Sequence, residues 1–113
     1  MNPYRIPYAP GSDPFALLAQ DGNYYIYCSD MKLYRTPNLI DYEPLGKAYE
    51  PVEDDWFSGF SSAPECYFFH GKYYLFHTSD WKENPCNEKE TGRVGVLVSD
   101  TPYGPVQASD LRS

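Results

Sequence analysis

Apolar and polar positions along this chain change places every one or two residues, in short runs broken by Gly, Pro, Asn and Asp. That period is the mark of half-buried strands, and no segment holds a helical repeat for long. The clearest run is Ala63 to Asp80: Glu65-Cys66-Tyr67-Phe68-Phe69, then His70-Gly71, then Lys72-Tyr73-Tyr74-Leu75-Phe76-His77. It reads as strand, tight turn, strand, because Gly supplies the positive φ of a short hairpin and aromatic rings suit a pleated surface. Asp13 to Asp30 has the same form, with its turn at Gln20-Asp21-Gly22 and its return strand at Asn23 to Ser29. The two glycines are 71 − 22 = 49 residues apart. Each is followed by x-Tyr-Tyr-aliphatic-aromatic and soon after by Ser-Asp, so one β-unit occurs twice.

The first unit spans residues 13–50, with strands expected at Pro14–Ala19, Asn23–Ser29, Leu33–Arg35 and Tyr42–Ala48. Residues 1–12 hold Pro3, Pro7, Pro10 and Gly11 and form an entry strap, since Pro lacks the amide donor of a central strand. Residues 51–62 are expected as a connecting loop. The second unit spans 63–108, with strands at Glu65–Phe69, Lys72–Thr78 and Arg93–Ser99, a polar surface loop from Trp81 to Gly92, and a tail at 109–113. The fold class is all-β: two four-stranded antiparallel blades of a β-propeller whose ring is incomplete. Propellers close with about four to eight blades, and repeats of this kind usually need at least about three copies to be stable. Further blades, or copies of the chain assembling as an oligomer, are therefore expected to close the ring.

Composition narrows the function. With 12 Tyr, 6 Phe and 2 Trp among 113 residues, ring stacking is available everywhere. The formal charge of −7, with nine scattered Lys and Arg, argues against nucleic acid as partner, because phosphate recognition needs clustered cations. Aromatic rings together with carboxylates suit sugars. Cys28, Cys66 and Cys86 form an odd set without metal-ligand spacing, so neither a zinc site nor a disulfide framework is expected, and no cofactor is implied. The first residues lack a signal-peptide core, and no run approaches the roughly 20 apolar residues of a membrane span. The chain is thus expected to be soluble, away from membranes and cytoplasmic, although a trimmed leader would be compatible with it.

Three stretches together resemble the opening of glycoside hydrolase family 43. They are Ser12-Asp13-Pro14-Phe15 with Asp21-Gly22-Asn23-Tyr24-Tyr25-Ile26-Tyr27, then Ala63-Pro64-Glu65 with Gly71-Lys72-Tyr73-Tyr74-Leu75, then Gly92 to Pro105. The resemblance implies a five-bladed propeller enzyme hydrolysing arabinose- or xylose-containing saccharides with inversion, of which this chain is the front part. It matches Asp13 to the family's general base and gives Glu65 a substrate-side contact. The family's proton donor comes from later blades, so the chain alone is expected to be inactive. Ser62 stands where the family often has Trp, which leaves Trp56 or Phe60 as the ring for a sugar platform.

The residues support these roles, and bland readings stand beside each one. An inverting glycosidase sets one carboxylate to activate water and a second, protonated carboxyl to donate to the leaving oxygen, about 6.5–9.5 Å apart. Asp13 begins an innermost strand, and Pro14 is expected to hold its backbone extended; an Asp before Pro also simply starts strands. Asp13 and Glu65 as a complete acid–base pair is a further reading, which the family pattern does not support. Trp56, Phe57 and Phe60 are either stacking platforms or packing beneath the blade junction. His77 is a substrate-side rim contact, a hydrogen-bonded core histidine or a metal ligand. Tyr24, Tyr25, Tyr27, Tyr73 and Tyr74 are read as inter-sheet packing, and Asp54-Asp55 as a solvated turn rather than a calcium site. The alternative to an enzyme is a non-catalytic carbohydrate-binding or self-assembling two-blade module.

Overall fold

The computed structural model describes residues 11–83 and 92–103, apart from the side chains of 58–60. Most of the expected entry strap, most of the Trp81–Gly92 loop and the tail lie outside the described residues. Among the described residues, seven strands form two antiparallel sheets. The first holds β1 (Phe15–Leu18), β2 (Tyr24–Tyr27), β3 (Lys32–Thr36) and β4 (Glu43–Lys47) in meander order, and the second holds β5 (Phe57–Phe69), β6 (Lys72–Trp81) and β7 (Gly92–Ser99). Where a fourth strand was expected in each blade, the second sheet has three among the described residues.

The two hairpins that anchor the repeat are both present, with different corners. In the second, Phe69 pairs directly with Lys72, and His70 (φ 49°) with Gly71 (φ 79°) makes a two-residue turn with both centres left-handed. Such turns match the strand twist, and only Gly adopts that φ without a steric cost. In the first, Gly22 (φ 88°) closes a longer corner. Its amide donates to the Ala19 carbonyl (3.1 Å), and the Asp21 side chain accepts from the Asn23 amide (2.9 Å) and the Tyr25 hydroxyl (2.6 Å). Pro44 sits in β4, an edge strand, where its missing donor costs no ladder bond.

The core lies between the sheets. Tyr25, Tyr27, Met31, Leu33, Ala48 and Tyr49 meet Phe57, Cys66, Tyr73, Leu75 and Leu97 across it. Strand alternation decides which tyrosine of each Tyr-Tyr pair enters. Tyr25 and Tyr73 are buried, whereas Tyr24 and Tyr74 face the other way and are half-buried. Burial pushes the Tyr27 hydroxyl's pKa well up, and that hydroxyl donates to the Pro102 carbonyl at 2.6 Å. Cys28 and Cys66 are buried thiols, and desolvation raises both, Cys66 to about 11. Neither is poised for thiolate chemistry.

Two expectations about local structure are corrected. The segment 51–62 is not loop throughout: β5 begins at Phe57, where Phe57 pairs with Trp81 and Ser61 with Ser79. Its register shifts between Phe57 and Ser61 and again between Ser62 and Glu65, and bulges of this kind break the alternation by which a strand is recognised. Phe57 is fully buried against Tyr49, Trp56 and His77, and that burial pulls a Ser- and Gly-rich segment into the sheet. The backbone of Asp13 is not extended either; it sits at φ 49°. A following Pro disfavours the right-handed helical region, and Asp tolerates the left-handed one. Ala63 before Pro64 takes the same turn at φ 50°, so the two units share a kinked entry to their first strands.

Candidate active site

β1 and β5 open the two units and run side by side in the same sense. The rings of Phe15 and Tyr67 meet edge-on with centroids 5.6 Å apart. Toward the other end, the Gln20 amide donates to the hydroxyl of Tyr73, the strand partner of Phe68, at 3.2 Å. Asp13 and Glu65, each two residues ahead of the rings that meet, therefore stand at one end of the stacked sheets, and both are exposed.

Each carboxylate is held from behind. Ser29, 5 % exposed, donates through Oγ to Asp13 Oδ2 at 3.2 Å, while its amide donates to the Ser12 carbonyl at 3.0 Å. These bonds tie the kinked entry of β1 to the turn after β2, where Asp30 and Met31 are left-handed (φ 63° and 61°). Glu65 Oε1 accepts a hydrogen bond from the Tyr67 hydroxyl, its neighbour on the same strand face. That bond raises the Tyr67 pKa, because removing the phenol proton would set two anions side by side.

His77 lies in the core, 2 % exposed. Its Nδ1 is 2.8 Å from Ser79 Oγ, and Nε2 has no hydrogen-bond partner among the described residues. The imidazole stacks under Trp56 (centroids 5.8 Å, 21°) and against Phe57 (4.7 Å). Burial drives its pKa down to about 4, opposed in part by the Asp55 carboxylate. Its ring thus supports Trp56 from beneath and is shielded from solvent. Trp56 is half-buried and lines an open groove with Trp81, Arg93 and Val94. Phe60 lies within β5, and its side chain is outside the described residues.

Several supporting groups were not legible as such. Asp55, expected from the sequence in a solvated acidic turn, is instead buried and accepts from the Tyr49 hydroxyl (2.6 Å) and the Val52 amide (2.7 Å). Asp54 is exposed. Ser29 and Ser79 occupy the recurring Ser-Asp that follows each Tyr-Tyr strand; the repeat marked both, but only the fold shows one holding Asp13 and the other His77. Among the described residues, no three His, Cys, Asp or Glu side chains gather as a metal site.

Comparison with known proteins bears on what this arrangement belongs to. The family model for glycosyl hydrolases family 43 matches residues 4–109. The endo-arabinase of Bacteroides thetaiotaomicron superposes with a TM-score of 0.69 at 27% identity, covering 85% of this chain and 33% of that one. The GH43_1 enzyme of Xanthomonas citri, solved with xylotriose, gives 0.66 at 27% identity over 84% of this chain and 30% of its own. A β-xylosidase/α-arabinofuranosidase from a compost metagenome gives 0.64 at 28% over 85% and 33%. No curated protein matches. The chain thus spans about a third of the length of these structures. With a match across nearly its whole length, the chain belongs to glycosyl hydrolases family 43.

Proposed function

We propose that this chain provides the first two blades of a glycoside hydrolase acting on arabinose- or xylose-containing saccharides, with Asp13 as the general base of an inverting hydrolysis. In this reading Asp13 takes a proton from water as the water attacks the anomeric carbon. A protonated carboxyl from a later blade donates to the leaving oxygen, across the gap of about 6.5–9.5 Å that such a water needs. Glu65 contacts the substrate from the neighbouring strand. The observation that carries the proposal is the anchoring of Asp13 by buried Ser29 at the end of the sheets where Glu65 also stands. The family match and the arabinase and xylosidase neighbours support the substrate class.

The test has two arms. The 113-residue chain incubated with aryl arabinosides and xylosides is expected to release no aglycone, and turnover abolished by Asp13→Asn would refute its inactivity. A chimera with this chain in place of the aligned third of the Bacteroides thetaiotaomicron endo-arabinase is expected to hydrolyse arabinan and lose that activity with Asp13→Asn. A folded, active chimera indifferent to that change would remove Asp13 from the role.

One observation favours assembly as a second reading. The face of the second sheet turned away from the first exposes Phe69, Phe76, Val94 and Val96, between 39% and 73% each. Apolar area of this kind marks a contact surface, for further blades in an enzyme or for other copies in a self-assembling module. A discrete symmetric oligomer by light scattering supports the module, and a monomer or ill-defined aggregates support the enzyme fragment.

A further inference from the structure

Ser-Asp follows the Tyr-Tyr strand of both units, and the two copies have different fates. In the second unit Ser79 and Asp80 stay within β6, where Ser79 pairs with Ser61 and its Oγ lies 2.8 Å from His77 Nδ1. In the first, β2 ends at Tyr27 and the chain turns sharply: Asp30 and Met31 are both left-handed, at φ 63° and 61°. L-residues enter that region at a steric cost, and two in succession persist only where surrounding contacts impose them. Those contacts are present. The Met31 side chain is buried in the core, and its carbonyl accepts from the Ala48 amide at 2.8 Å. Asp30 pairs with Lys47 at 3.3 Å, and the Cys28 amide donates to the Lys32 carbonyl at 2.9 Å. The corner so held turns both donors of Ser29 toward the entry of β1, its amide to the Ser12 carbonyl and its hydroxyl to Asp13 Oδ2.

We propose that Ser29 is a positioning residue for the hydrolysis: by occupying Asp13 Oδ2 it fixes the rotation of the carboxylate and leaves Oδ1 as the atom that takes the proton from the attacking water. This rests on the reading of Asp13 as general base and adds the residue that orients it. Asp13 is exposed, and the last torsion of an unrestrained aspartate is broad, so its two oxygens would exchange places freely. A general base acts only within about 2.6–3.2 Å of the proton it abstracts, and a carboxylate that swings spends part of its time out of reach. Ser29 removes that freedom without competing for the proton, because its hydroxyl donates and is buried behind the acid. Among the described residues no hydrogen bond is made to Oδ1. As Oδ1 receives the proton, the water oxygen forms its bond to the anomeric carbon and the bond to the leaving oxygen breaks. That oxygen takes its proton from the carboxyl of the later blade.

The chimera with the Bacteroides thetaiotaomicron endo-arabinase tests the role through turnover of arabinan. Ser29→Ala is expected to lower kcat about tenfold, less than loss of the base itself, with KM kept within about twofold. Ser29→Thr, which keeps a hydroxyl, is expected to retain most of kcat. Azide has no proton to lose and attacks the anomeric carbon without a base. Sodium azide is therefore expected to bring the Ser29→Ala rate back to that of the parent, with a glycosyl azide of inverted configuration as product. Equal kcat in Ser29→Ala and the parent, or a loss that azide leaves in place, would overturn the positioning role. Full activity in Asp13→Asn would instead remove the base reading, so the two failures are told apart. The 113-residue chain supplies a measurement that needs no turnover. The side-chain carboxyl carbon of Asp13, assigned by its absence in Asp13→Asn, is expected to shift in the carbon NMR spectrum of Ser29→Ala and to return in Ser29→Thr. A resonance that Ser29→Ala leaves unmoved would overturn the assignment whatever the chimera does.

Discussion

Lowering the pH should strike this fold at His77. The imidazole is enclosed by Trp56 and Phe57, its Nδ1 meets Ser79 Oγ, and Nε2 has no partner among the described residues. Burial holds the folded-state pKa at about 4 even though Asp55 pulls the other way, whereas an exposed histidine titrates near 6.5. Well above pH 6.5 the ring is neutral in both states and contributes nothing to the pH dependence. Between about 6.5 and 4 the unfolded chain binds a proton that the folded chain refuses, so stability falls as the pH falls. At about 1.4 kcal/mol per unit the full loss approaches about 3 kcal/mol, reached below pH 4. Urea unfolding at about pH 7 and about pH 4.5 should therefore show a drop of about 2–3 kcal/mol in the parent chain beyond that in His77→Leu. Carboxylates elsewhere, and His70 in its exposed turn, are common to both proteins and largely cancel in the difference. Parallel losses in the two proteins would show that the ring is not kept neutral by burial, and the reasoning would fail.

Three other substitutions probe the supports of the same region. Gly95→Ala should destabilise by about 1–3 kcal/mol, because its methyl group would meet both Trp56 and His77; thermal melting and a shifted tryptophan emission are the readouts. Asp55→Ala removes the carboxylate that accepts from the Tyr49 hydroxyl and the Val52 amide and should cost about 1–3 kcal/mol in urea unfolding, whereas Asp54→Ala, at an exposed position, should cost under about 0.5 kcal/mol. Gly71→Ala forces a side chain into φ 79° and should lower stability by about 1 kcal/mol, while His70→Asn at φ 49° should be neutral or slightly stabilising, since Asn tolerates that region best.

The sequence alone determined the strands and their repeat. Alternation and glycine punctuation are local signals, so β1 to β4, both hairpin corners and the β6–β7 pair were legible from side-chain order. The ordered motifs also carried the family and the candidate base Asp13. Tertiary structure decided what local order cannot encode. Phe57 to Ser62 joins β5 only because Phe57 is swallowed by a core made of both sheets, and two bulges erase the alternation that would have announced it. Asp13, left-handed before Pro14, has its carboxylate and the preceding carbonyl held by Ser29, sixteen residues on. Asp55 looks like a solvated acid until Tyr49 and Val52 close over it. His77 had three readings in the sequence, and burial between Trp56 and Phe57 selects one of them. In each case the deciding contact comes from a residue elsewhere in the chain, and its energy comes from excluding water, which no stretch of strand can do alone.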